Sequence, residues 1–214
     1  MRKMLIALAC TVMVATGCSS GSHGRAVYLL VDTSGTYTKE VDRANAIINY
    51  LLGTLEPGDS FAVARIDSAS FSEKDIIARV TFADQPTKAN DQKRAFRQAM
   101  TQFFSNLHAA KYTDIRGGLL QAAEWLHETG AGDRHILVFS DLKEELPPGN
   151  KRDFKLPLKG TSVVALNVAK LRPDQVDPKR YLKRVDMWRE RVTNAGGDFR
   201  VINDLSRLDG LLKG

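Results

Sequence analysis

Arg25-Ala-Val-Tyr-Leu-Leu-Val-Asp-Thr-Ser-Gly-Thr36 sets an unbroken apolar run, Ala26 to Val31, directly against a turn rich in Asp, Ser, Thr and Gly. The run has strand length, and its lack of alternation predicts a strand buried on both faces, as in parallel sheets covered by helices. A helix should follow the turn. Val41, Ala44, Ile47, Ile48, Leu51, Leu52 and Leu55 recur at spacings of three and four, and Glu56-Pro57-Gly58-Asp59 stops them.

The same reading extends along the chain. Ser60 to Ile66 and Ile76 to Phe82 read as strands whose connector is too short for a crossover helix, so they should pair antiparallel. Phe96 to Leu107 and Ile115 to Leu126 carry helical apolar spacing, the second ending near Gly130. His135 to Phe139 and Val163 to Val168 are further buried-strand candidates. Tyr181, Leu182, Val185, Trp188 and Val192 mark a long helix, and Phe199 to Ile202 a last short strand before a small terminal helix. This alternation predicts an α/β fold, a doubly wound, mostly parallel, Rossmann-like sheet with one antiparallel edge strand. With 214 residues, 43% hydrophobic and 26% charged, the composition is that of a globular domain and excludes disorder and a polytopic membrane protein.

The first residues read as a leader. Arg2 and Lys3 precede the apolar run Met4 to Ala15, too short to span a bilayer, and small residues lead to Cys18. Ala15-Thr16-Gly17-Cys18 resembles a bacterial lipobox, which implies cleavage before Cys18 and acylation of its thiol. The expected organisation is a signal peptide over 1–17, a lipidated N-terminus and tether over 18–24, and one domain over 25–214. Ser19 after the acylated cysteine favours a periplasm-facing position on the outer membrane. A plain signal cut nearby is the alternative. Charge is uneven: residues 150–191 hold 12 Lys/Arg against five Asp/Glu, within a formal net charge of +6 for the whole chain. A basic face suits an acidic protein or an anionic surface, and a simply solvated face suits the same count.

Folds of this kind place their sites at the carboxyl ends of strands, above all where the strand order reverses. Asp32, Ser34 and Thr36 leave the first strand, Thr113 and Asp114 precede a helix, and Ser140 and Asp141 leave the strand after it. Alternate residues of an extended segment point the same way, so Asp32, Ser34 and Thr36 can present a carboxylate and two hydroxyls together. Such an all-oxygen set suits a hard divalent cation, Mg or Mn, with Ca as a third candidate. Helix capping or ion pairing of Asp32 and Asp141 in a metal-free domain is the structural alternative, and Arg116 and Lys143 are near enough in sequence to supply the charge.

Asp32-x-Ser34-x-Thr36, Thr113 with Gly117-Gly118-Leu119, and Ile136-Leu-Val-Phe-Ser140-Asp141 resemble the three parts of the metal-ion-dependent adhesion site of von Willebrand factor A domains. The resemblance covers nearly all of 25–214, element order included. It implies that Ser34, Thr36 and Thr113 bind the metal directly, while Asp32 and Asp141 hold its waters and supply negative charge. Leu142 departs from the glycine common at that place in the family.

An enzyme is not expected. Asp32 at a first strand end also resembles the nucleophile of haloacid-dehalogenase-type phosphatases, but Ser34 stands where those enzymes need a second acid. No Gly-x-Gly-x-x-Gly turn follows the first strand, and neither a Walker loop nor a Gly-x-Ser-x-Gly elbow occurs. The expectation is therefore a lipid-anchored envelope protein that binds a partner protein through a cation and an acidic side chain, with no nucleic acid involved. The alternatives are a metal-free scaffold using its basic C-terminal third and, after that, a phosphatase-like hydrolase.

Overall fold

The computed structural model describes residues 24–35, 40–68, 70–166, 168 and 172–210. The expected signal segment 1–17, Cys18 and Thr36 lie outside the described residues. Six strands form one sheet: β1 (Arg25–Asp32), β2 (Ser60–Ile66), β3 (Ile76–Thr81), β4 (Asp133–Phe139), β5 (Ser162–Leu166) and β6 (Asp198–Ile202). Their order is β3-β2-β1-β4-β5-β6, parallel throughout except for the antiparallel edge strand β3. The helices are α1 (Val41–Thr54), α2 (Pro86–Ser105), α3 (Ile115–Glu128), α4 (Arg172–Val176) and α5 (Pro178–Asn194). Among the described residues no helix is long and apolar enough to cross a membrane.

The apolar run in β1 is buried on both sides, as its lack of alternation requires. Ala26, Tyr28 and Leu30 pack with α3 and α5, while Val27, Leu29 and Val31 pack with α1 and α2. β1 is thus the centre of a three-layer core. Fully burying aliphatic side chains of this size stabilises by roughly 1.5–3 kcal/mol each, an upper range for the extended-chain reference. Trp125 and Trp188 pack against the α3/α5 layer, as expected for helix tryptophans.

Several elements differ from the sequence reading. α2 starts at Pro86, well before Phe96, because Pro at a first helical position opens a solvent-facing turn that carries no apolar period. β5 stops at Leu166, short of Val168. The small terminal helix is a 3-10 segment, Leu205–Gly210, and the short α4 had no periodic signal.

Candidate metal centre

The strand order reverses between β1 and β4, whose register pairs Val31 with Phe139. The next residues, Asp32 and Ser140, therefore leave the sheet side by side. Ser140 Oγ donates to Asp32 Oδ2 at 2.6 Å, and Ser34 N donates to Asp32 Oδ1 at 2.9 Å, closing a turn back onto the carboxylate. Thr33 Oγ1 donates to the Ile66 carbonyl at 2.9 Å and fastens this turn to β2.

The Thr113 segment joins the other two through its backbone. Ala110 N donates to Thr33 O at 2.9 Å, and Thr113 exchanges N–H···O bonds with Glu145 at 2.7 and 2.9 Å. Residues 110–113 thus lie between the loop after β1 and the loop after β4. Asp114 then caps α3, accepting from Gly117 N at 2.9 Å. A Cβ on Gly117 would stand 2.5 Å from Asp114 Oδ2, and one on Gly118 would stand 3.0 Å from Leu30 Cδ2. The paired glycines let the cap close and let α3 approach β1.

The segments of Ser34, Thr113, Asp32 and Asp141 accordingly meet at the carboxyl ends of β1 and β4, with Thr36 outside the described residues. Asp32 is 2% exposed and Asp141 4%, yet among the described residues neither carboxylate has an ion-pair partner or caps a helix. Arg116 instead pairs with Glu144, Nε to Oε2 at 2.8 Å, and Lys143 pairs with Glu145. Both make their direct ion pairs outside Asp32 and Asp141.

Burial raises the Asp32 carboxyl above the ordinary range, against the hydrogen bonds from Ser140 and Ser34. Asp141 is pushed up to about 6, first by burial and further by the charge of Asp32, while the Lys143 N–H, Arg184 and Lys143 charge oppose the shift. A buried anion without a direct ion-pair partner is costly. Among the described residues no three His, Cys, Asp or Glu side chains converge into a metal-holding group. The set consists of two carboxylates and hydroxyls, hard oxygen donors of the kind that suit Mg or Mn.

Sequence reasoning missed the supports of this crevice. Arg152 donates to Asp114 Oδ2 through Nε at 2.8 Å and also through Nη2, and Ser70 N donates to the same oxygen at 3.2 Å. No local pattern connects residues 38 apart. Leu142 has φ 63°, the left-handed conformation that costs a non-glycine residue roughly 1–2 kcal/mol. Its burial offsets that cost. Its carbonyl accepts from Trp188 Nε1 at 2.8 Å, and the Asp141 carbonyl accepts from Arg184 Nε at 2.8 Å. The loop keeps the shape a glycine would permit, with a leucine anchored in the core.

No protein-family model and no curated protein matches the chain. Among solved structures, the pilus adhesin SpaC from Lactobacillus rhamnosus GG, in its open conformation, aligns with a TM-score of 0.54 at 12% identity over 89% of this chain. The chain spans 29% of that adhesin's length, and the likeness is one of fold. BatB from Bacteroides thetaiotaomicron aligns at 10% identity over 88% of this chain and 95% of its own, with a TM-score of 0.45. An aerotolerance-related membrane protein from Bacteroides fragilis NCTC 9343 aligns at 14% identity over 87% and 94%, with a TM-score of 0.46. The chain has a von Willebrand A-like α/β fold, with its crevice at the carboxyl ends of β1 and β4.

Proposed function

We propose that the chain is a bacterial envelope lipoprotein whose von Willebrand A-like domain binds Mg or Mn and uses it to hold an acidic side chain of a protein partner. The observation that carries this reading is the pair of buried carboxylates, Asp32 and Asp141, without a direct ion pair among the described residues, on loops that hydrogen bonds tie to the Ser34 and Thr113 segments. Ser34, Thr36 and Thr113 would hold the ion, and Asp32 and Asp141 would balance its charge. When bound, the ion supplies a Lewis-acidic centre that accepts a carboxylate oxygen. The crevice offers no second acid at position 34 for phosphatase chemistry, which favours recognition over turnover.

Partner capture from envelope extract tests the reading. Recovery should fall to background with chelator and with Asp32→Asn, after thermal unfolding shows that the variant is folded. A partner recovered equally with Mg, with chelator and by Asp32→Asn would remove the cation from recognition and leave the basic scaffold in its place. The anchor is checked separately: intact mass of membrane-extracted protein should show an acylated chain beginning at Cys18. A mature chain starting elsewhere would refute the lipoprotein part alone.

A further inference from the structure

A second charged cleft lies on the α3/α5 side of the sheet. It has a volume of about 520 Å³, and its walls include Arg116 from the first turn of α3, Arg191 from the last turn of α5, and residues 152–156 between them. The arginines differ in how fully they are engaged. Arg116 donates from Nε and its backbone N–H to Glu144 and from Nη1 to the Arg152 carbonyl. Arg152 is committed to Asp114.

Arg191 is not engaged in this way. Its Nη1 is buried without a hydrogen-bond acceptor among the described residues. The carboxylate oxygen paired with it is Glu144 Oε2 at 3.9 Å, too long for a hydrogen bond and already accepting from Arg116 Nε. One carboxylate therefore serves two guanidinium groups. The Arg191 guanidinium carbon lies over the Trp188 ring, 4.6 Å from its centroid, a cation–π contact. Burial lowers its proton affinity, and Arg116 lowers it further against the opposing pull of Glu144.

Nη1 is closed off from solvent, so a ligand in the cleft meets the remaining, accessible part of the guanidinium, the Arg191 side chain being 30% exposed, and a planar guanidinium suits an oxyanion. The cleft is also larger than an inorganic anion needs, and Phe154 and Leu156 give it apolar walls. Arg191 also lines a second cleft, with Lys143, Lys183 and Arg184 against the single acid Glu144, on the side of the loop that carries Asp141. Two cation-rich clefts that share Arg191 suit a segment bearing carboxylates.

We propose that the α3/α5 cleft is an oxyanion subsite in which Arg191 binds a carboxylate of an acidic peptide segment. The proposal deepens the recognition reading by giving the partner a second acidic contact beside the crevice, and it rests on that reading only for the partner's being a protein.

The test uses the full chain with chelator present, so that the cation plays no part. Binding of acetyl-tetraglutamate amide, acetyl-tetraglutamine amide and inorganic phosphate is followed by calorimetry and thermal unfolding. Tetraglutamate should bind and raise the melting temperature, whereas tetraglutamine and phosphate should bind at least tenfold more weakly. Arg191→Met, which keeps a stem over Trp188, should lose tetraglutamate affinity at least tenfold and should melt no lower than the parent without peptide. Arg191→Lys should bind at an intermediate level because it keeps charge but loses the planar fork, and Lys179→Gln should change affinity less than twofold. Undiminished binding by Arg191→Met and Arg191→Lys, equal binding of phosphate or tetraglutamine, or no tetraglutamate binding by the parent would each overturn the proposal. Manganese uptake by a chain that ignores tetraglutamate would defeat this inference and leave the metal reading standing.

Discussion

Magnesium or manganese at a hundredfold excess over Kd should raise the stability of the chain by about 2.7 kcal/mol, and Asp32→Asn should erase that gain. For a domain of this size the gain corresponds to a rise of roughly 5–10 °C in melting temperature. The sign follows from burial. Asp32 and Asp141 leave water without a direct ion-pair partner among the described residues, and burial raises both carboxyls above their ordinary range, so an added cation finds charge that the protein balances only in part. Asn at position 32 retains an acceptor for Ser34 N, and Ser140 Oγ has a lone pair for the new amide. The chelated variant should therefore melt at least as high as the chelated parent, because an uncompensated buried charge has been removed. Ser34→Ala and Thr113→Ala should also lose the cation response. Melting curves that coincide in Mg, Mn and chelator across a wide concentration range would eliminate the site.

Arg152→Met should cost about 3–5 kcal/mol, the largest loss expected from any single substitution considered for this chain. Asp114 is 0% exposed, and its Oδ2 receives Arg152 Nε, Arg152 Nη2 and Ser70 N, while Oδ1 receives Gly117 N. Removing the guanidinium leaves a buried carboxylate with only two neutral N–H donors. Asp114→Asn in the same background should recover part of the loss, since the stranded charge is then gone. Urea unfolding of the parent, the single variants and the double variant measures the coupling. A loss below about 1 kcal/mol for Arg152→Met would put the pair in the class of exposed ion pairs and contradict its burial.

The fold was legible where the chain is apolar without interruption. The run Ala26–Val31 has no polar face to give water, so it had to lie at the middle of a covered sheet, and the short link from Ile66 to Ile76 left β3 no alternative to antiparallel pairing. The first turns of α2 were hidden because Pro86 to Gln92 bury only Ala89 in the core. The site separated in the same manner. Asp32, Ser34, Thr113 and Asp141 stand at strand or helix ends, which local sequence marks. The partners of Arg116 and Arg152 lie 28 and 38 residues away, and nothing in sequence decides that Arg116 turns to Glu144 instead of the crevice. The left-handed backbone at Leu142 was equally invisible, since leucine rarely adopts it and only the closure of that loop demands it.

The central place of β1 also governs the order in which the chain can assemble. One neighbour, β2, is close in sequence: Arg25 N reaches Asp59 across 34 positions. The other is distant, since Asp32 meets Ser140 across 108 positions. Closing the longer loop costs about 1 kcal/mol more in chain entropy than closing the shorter one. β1, β2 and β3 with α1 can gather early, but the face of β1 that receives β4 stays open until most of the polypeptide is present. The docking of β4 beside β1 is then expected late in folding, and the same docking brings Asp32, Ser140 and Asp141 together. The crevice forms only when the sheet is complete, so no partly folded intermediate lacking that strand pair can hold a ligand there.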